Sequence, residues 1–109
     1  MGYIINGKEH DTDDQGYLLE PVLDDEAVRV IAQAESITLT DAHWEVVNYL
    51  RDQYREHGHT PNFRNLLKGM ADKYPGLDSK ALYDLFPVGP AKQGPKVAGL
   101  PQPLGKGGY

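Results

Sequence analysis

A chain of 109 residues has room for one domain with a small core, and 39% hydrophobic against 25% charged residues is a globular balance. The absence of cysteine excludes disulfides, thiolate metal sites and persulfide chemistry. The formal charge of −5 is unevenly placed: all 16 acids and eight of the 11 Lys and Arg precede residue 88, so that part carries 8 − 16 = −8, and Lys92, Lys96 and Lys106 add +3 beyond it. Nonspecific nucleic-acid binding needs a basic face, which an acidic body does not offer. There is no long apolar run, and MGYIINGKEH lacks the basic-then-apolar layout of a signal peptide, so a cytoplasmic protein without a membrane segment is expected.

The start predicts a β-hairpin. Tyr3-Ile4-Ile5 favours a strand, Asn6-Gly7 suits a type I′ turn whose central residues both take positive φ, and Lys8–Asp11 returns. Gly16-Tyr17-Leu18 suggests a further short extended piece.

Four helices should follow. Asp24 or Asp25 caps the first, Ala27, Val28, Ile31 and Ala34 form its apolar face, and Leu23 is placed to staple onto Val28. Thr40 caps the second, with Leu39 and Trp44 at staple positions. It runs to about Glu56 and stops at Gly58, with Trp44, Val47, Leu50 and Tyr54 on one stripe. Thr60 caps the third and Pro61 opens it, with Phe63, Leu66, Leu67, Met70, Ala71 and Tyr74 at helical spacing before Pro75-Gly76. Asp78 or Ser79 starts the fourth, with Ala81, Leu82, Leu85 and Phe86 inward, and Pro87 stops it.

From Pro87 the composition changes. Eleven of the last 23 residues are Gly or Pro, so the segment cannot offset its ordering entropy alone. It reads as a mobile arm docked at most through its first half, with Val97 and Leu100 as anchors. The expected organisation is one globular domain over 1–87, with 88–109 as a C-terminal arm of the same domain.

Other features are weaker. His57-Gly58-His59, with His10 and His43, has H-x-H spacing but no evident carboxylate companion, and a surface histidine at a helix end is the simpler account. Trp44 reads as core and His43 as solvated. No nucleophile–base pair is recognisable. The second and third helices have helix–turn–helix spacing, and Arg64, Lys68 and Lys73 would face DNA in such a motif; a small transcriptional regulator is therefore the alternative reading. Asp72 and the acids of the preceding helix count against it.

Several strings carry a specific resemblance: Ile5-Asn6-Gly7-Lys8, DDQGYL ending at Leu18, LTDAHWEVV over 39–47, LRDQY over 50–54, Thr60-Pro61, LFPVGPAK over 85–92 and the tail GPAKQGPKVAGLPQPLGKGGY. In these the chain resembles the DsrC/TusE family of sulfur-carrier proteins over essentially its whole length. The resemblance implies an α+β fold, a hairpin on a small helical bundle that contains a helix–turn–helix-like pair, followed by the arm. It also implies an arm whose thiols carry sulfur, one in the DsrC form between the AKQG-like and KVAGLP-like segments and one near the C-terminus in both forms. Pro95 and Lys106 occupy those positions here, and Gly107-Gly108-Tyr109 extend past the family's usual end. A proline in the second turn of the arm helix should kink or shorten it, at a cost of ~3 kcal/mol in an isolated helix, and Gly94 weakens it further.

The reading that follows is a monomeric, non-catalytic family member without a cofactor. It would dock on protein partners of the sulfur pathway, either a dissimilatory sulfite reductase or a TusBCD–MnmA-type relay for tRNA 2-thiolation. Its role would be regulatory or competing, with Lys92, Lys96, Val97, Leu100 and Pro101 as arm contacts.

Overall fold

The computed structural model describes residues 2–103. Two strands and five helices follow in order: β1 (Gly2–Ile5), β2 (Lys8–Asp11), α1 (Asp25–Ala34), α2 (Asp41–His57), α3 (Phe63–Lys73), α4 (Ser79–Leu85) and α5 (Pro90–Val97). The fold class is α+β.

The hairpin forms as its turn residues dictate. Asn6 and Gly7 both take positive φ, 52° and 79°, and β1 pairs antiparallel with β2 in the register Tyr3↔His10, Ile5↔Lys8. Alternation along β1 sends Ile5 into the core and leaves Ile4 59% exposed. Beyond β2, the Asp13 carboxylate accepts from the Gln15 and Tyr17 N–H groups, and this turn brings Leu18 back to bridge Thr12. Tyr17 and Leu18 are thereby buried.

Asp24 caps α1, its side chain accepting from the Glu26 N–H. Ala27, Val28, Ile31 and Ala32 face the core, whereas Ala34 and Leu23 stay exposed. Gly58, left-handed at φ 76°, closes α2. The cap of α3 differs from expectation. Asn62, rather than Thr60, accepts from the Asn65 N–H, and Pro61 lies before the helix. A short amide side chain next to the first turn displaced a Thr-Pro pair two residues upstream. Asp78 caps α4 and bonds the Ala81 N–H.

His43 is buried rather than solvated, at 5% exposure. It occupies the third position of α2, where its Nδ1 accepts from the Thr40 N–H at 3.0 Å and lies 2.8 Å from the Thr40 hydroxyl. Its Nε2 is 2.9 Å from the Leu85 carbonyl oxygen, to which it donates. This is a capping box with histidine in the place usual for Glu or Gln, and the far nitrogen ties the start of α2 to the end of α4. Phe86 meets the ring edge-on at 5.2 Å. His43→Ala should cost about 1–2 kcal/mol through the lost cap and the orphaned Leu85 carbonyl, read as a lower urea midpoint. His43→Gln should restore only the part due to the cap.

The arm begins with α5. It packs on α1, α2, α3 and α4, in the centre of the molecule. Ala91, Val97, Ala98 and Leu100 belong to the same buried cluster as Ile31, Val46, Val47, Leu50, Leu66, Met70, Leu82 and Phe86. Structurally, the segment from Pro90 to Leu100 completes the core formed by the first 87 residues. Among the described residues no helix is long and apolar enough to cross a membrane.

Candidate functional site: the seat of the arm

Gly89 begins α5 at φ 136°, and its carbonyl accepts from the Lys92 and Gln93 N–H groups. Pro90 follows at the first helical position, where its missing N–H costs nothing. Pro95 lies inside the helix, yet the helix runs on through it to Val97. Past the proline, Ala98 N–H reaches the Gly94 carbonyl at 2.9 Å and Leu100 N–H reaches the Pro95 carbonyl at 3.0 Å. The one bond lost at Ala91 is set against burial of the proline ring and of the side chains on either side of it.

Two glycines make the seat close. A Cβ on Gly94 would stand 2.9 Å from the Leu50 side chain, so glycine lets α5 settle onto α2. Gly99 takes φ 82°, a Cβ there would collide with the Val22 carbonyl oxygen, and the Gly99 carbonyl accepts from Val22 N–H at 2.8 Å. The seat therefore requires glycine at position 99, for both its φ and its contact.

Polar groups fasten the segment on two sides. Arg51, 4% exposed, spends its guanidinium on three acceptors: the Ala98 carbonyl at 3.1 Å, the Asp24 carbonyl at 3.0 Å and the Asp25 carboxylate at 3.0 Å. It binds the end of α5, the start of α1 and the middle of α2 together. On the other side Gln93, 3% exposed, accepts from Val88 N–H and donates to Glu35. Lys96 lies 3.6 Å from the same Glu35 oxygen and 5.1 Å from the centre of the Tyr17 ring. The Tyr17 hydroxyl donates to the Lys92 carbonyl, and the Tyr3 hydroxyl to that of Gly16. Burial, with Asp13 and Glu35 adding charge nearby, pushes the Tyr17 phenol above its ordinary value; burial, then Glu35 and Asp13, do the same for Tyr3. Both stay in the donating form to higher pH than a free tyrosine.

The residues expected as arm contacts differ in their exposure. Val97 and Leu100 are 0% exposed and hold the arm in its seat, so no partner reaches them in this conformation. Lys96 is largely covered and paired with Glu35. Lys92 is exposed and Pro101 half-buried. Pro95 is buried at the expected first thiol position, while Lys106 lies outside the described residues. Arg51, Gln93 and Glu35 were missed. Arg51 had a signal, because it lies four residues after Val47 on the buried stripe of α2.

His57 and His59 lie at the other end of α2, both exposed, with ring centres 6.1 Å apart. His57 is 3.6 Å from Glu56, and His59 bonds the Thr60 carbonyl. Among the described residues no three potential metal ligands are gathered. Arg64, Lys68 and Lys73 are exposed along α3, with Asp72 beside them and Lys73 over the Tyr49 ring.

The family model described as DsrC like protein matches residues 4–105. The chain belongs to the DsrC/TusE sulfur-relay family. A sulfurtransferase TusE homolog of Haemophilus influenzae is 53% identical over 103 residues, covering 91% of this chain and 94% of that protein. The sulfurtransferase TusE of Escherichia coli K12 is 48% identical over 104 residues, covering 93% and 95%. Among solved structures, Allochromatium vinosum DsrC matches with a TM-score of 0.83 and 38% identity over 93% of each chain. The oxidised γ-subunit of the dissimilatory sulfite reductase (DsrC) of Archaeoglobus fulgidus also matches at 0.83, with 32% identity over 94% of this chain and 97% of that one. These matches give the DNA-binding alternative no support. For a DsrC-family fold the decisive chemical fact is in the composition: none of the 109 residues is a cysteine, and neither Pro95 nor an amine at Lys106 can hold a sulfane sulfur.

Proposed function

We propose that this chain is a DsrC/TusE-family protein that docks on sulfur-relay partners without itself carrying sulfur, acting as a regulator or competitor of a cysteine-bearing carrier. The observation that carries this reading is a complete arm seat in a chain without a thiol. Arg51, Gly94, Gly99 and the Lys96–Glu35 pair keep the α5 segment in place, while the position of the first family thiol holds a buried proline ring. The partners would be sulfite reductase-like or Tus/MnmA-like proteins of the cytoplasm, in sulfur metabolism or tRNA 2-thiolation, and the protein would work as a monomer. Among the described residues of the arm, Lys92 and Gln102 are exposed and Pro101 is half-buried, and these would meet the partner. The names sulfurtransferase TusE and sulfite reductase γ-subunit, carried by relatives at 48% and 32% identity, support the choice of partners.

The test is a reconstituted relay supplied with radiolabelled sulfane sulfur. The unaltered chain should take up no label and should slow transfer through a cysteine-bearing family member. Lys106→Cys should take up label from the upstream donor, because docking is retained and only the acceptor was missing. Failure of the unaltered chain to compete, together with an unlabelled Lys106→Cys, would sink the proposal.

A further inference from the structure

The hairpin leaves one edge open. Asp11 turns its carbonyl to the outer side of β2, where it accepts from Leu19 N–H at 3.1 Å, next to the Thr12–Leu18 bridge. Glu9 lies two residues back in the same strand, so its N–H and carbonyl point to that side as well. Continued toward the turn, the ladder would set Pro21 opposite Glu9, and proline has no N–H to give. It stops at Leu19 instead. Among the described residues no backbone group bonds Glu9 from the outer side.

A groove of about 400 Å³ runs along this edge, lined by Lys8, Glu9, His10, Asp11, Leu19 and Glu20. Small-molecule pockets are walled mainly by apolar and aromatic groups, and here Leu19 is the one apolar wall. Glu9, Asp11 and Glu20 outnumber Lys8, and none of the three carboxylates has an ion-pair or hydrogen-bond partner among the described residues. Side chains alternate along β2, so Glu9 and Asp11 share the outward face with Ile4, which is opposite Glu9 and 59% exposed. Leu19, beside Asp11, is 58% exposed.

Register and charge together select the occupant. An unpaired strand edge accepts an added strand through main-chain hydrogen bonds. A second copy of this chain fits badly. The place opposite Asp11 is taken by Leu19, so a two-fold antiparallel pairing must centre on Glu9 and would set one Glu9 against the other. Like charges directly opposite destabilise a strand pair, whereas a cation in that place reverses the sign.

We propose that the Lys8–His10 edge of β2 is a docking site for a short basic extended segment of a partner protein. The segment adds as a third strand, exchanges backbone hydrogen bonds with Glu9, and sets a Lys or Arg against the Glu9 and Glu20 carboxylates. Residues 8–11 take no part in the arm seat, and the site does not rest on the relay reading.

The probe is a fluorescein-labelled hexapeptide, Leu-Thr-Lys-Thr-Lys-Thr, whose Leu and two Lys fall on one face of a strand. It is titrated by anisotropy against the full chain, beside a counterpart with Glu in place of Lys and a third peptide N-methylated at both Lys. The basic peptide should bind at least about ten-fold more tightly than either, equivalent to ~1.4 kcal/mol. Glu9→Lys, which reverses the charge, and Glu9→Pro, which removes the outward N–H but no bond between β1 and β2, should each weaken it about ten-fold. Equal binding of the acidic peptide, no saturation by about 1 mM, or indifference to N-methylation overturns the proposal, and the last needs no variant to fold. Tighter binding to Lys106→Glu would show that the chain's own end fills the edge, and a dimer in sedimentation that Glu9→Pro abolishes would show that a second copy does. Either result overturns the partner segment. None of these outcomes bears on whether the arm engages a relay.

Discussion

Ending the chain at Pro87 should abolish cooperative folding, whereas ending it at Pro103 should leave the unfolding transition in place. The first cut removes Ala91, Val97, Ala98 and Leu100 from the core and uncovers the faces of α1 and α2 that α5 seals. A buried valine or leucine contributes about 1.5–3 kcal/mol, and the partners exposed by the cut lose burial as well. A domain of this size holds only ~5–15 kcal/mol in reserve, so the sum exceeds what it can lose. Urea titration followed by circular dichroism and by the fluorescence of Trp44, the only tryptophan, distinguishes the outcomes. A sharp transition for residues 1–87 would show that α5 is an appendage after all. The point also governs any capture experiment with an arm-deleted bait, which must be cut after Pro103 if the loss of a partner is to mean more than the loss of the fold.

Arg51→Ala should destabilise the protein by about 2–4 kcal/mol. For a domain near 100 residues that lowers the melting temperature by roughly 10–20 °C. The ion pair is the smaller part of this. The Asp25 side chain is 61% exposed, so Asp25→Asn should cost at most ~1 kcal/mol. The greater part comes from the Ala98 carbonyl, which loses the buried donor Arg51 supplied, with a smaller share from the Asp24 carbonyl, which keeps its bond from Ala27 N–H. Arg51→Lys should recover little, because one ammonium cannot serve three acceptors spread around a planar fork. If Asp25→Asn proved as damaging as Arg51→Ala, the ranking of carbonyls over carboxylate would be wrong.

Where structure is set by neighbours in sequence, it was legible. Asn6-Gly7 fixed the hairpin, and the caps Asp24, Thr40, Gly58 and Asp78 all lie where their chemistry predicts. The misreadings arose where distant contacts decide. Pro95 and Gly94 lower the worth of an isolated helix, and from them a kinked or shorter one was expected. Four neighbouring helices reverse that balance by burying it, and for that purpose Gly94 is an asset because it admits Leu50. His43 looked polar and therefore solvated. One ring nitrogen accepts from the nearby Thr40 N–H and the other donates to the Leu85 carbonyl, 42 residues further along, which no local pattern reveals. The candidate site was legible in its family strings, but its fastening by Arg51, Gln93 and Glu35 was not.

The central position of α5 also orders events during synthesis. The apolar faces of α1 and α2, with Ile31, Val46 and Leu50 upon them, are made well before the helix that covers them. Local structure can form early in the nascent chain, but the core cannot close until residue 100 has emerged from the ribosome. Over that interval the unfinished chain shows sticky surface to the surrounding protein, which makes it a natural client for chaperones that bind growing chains.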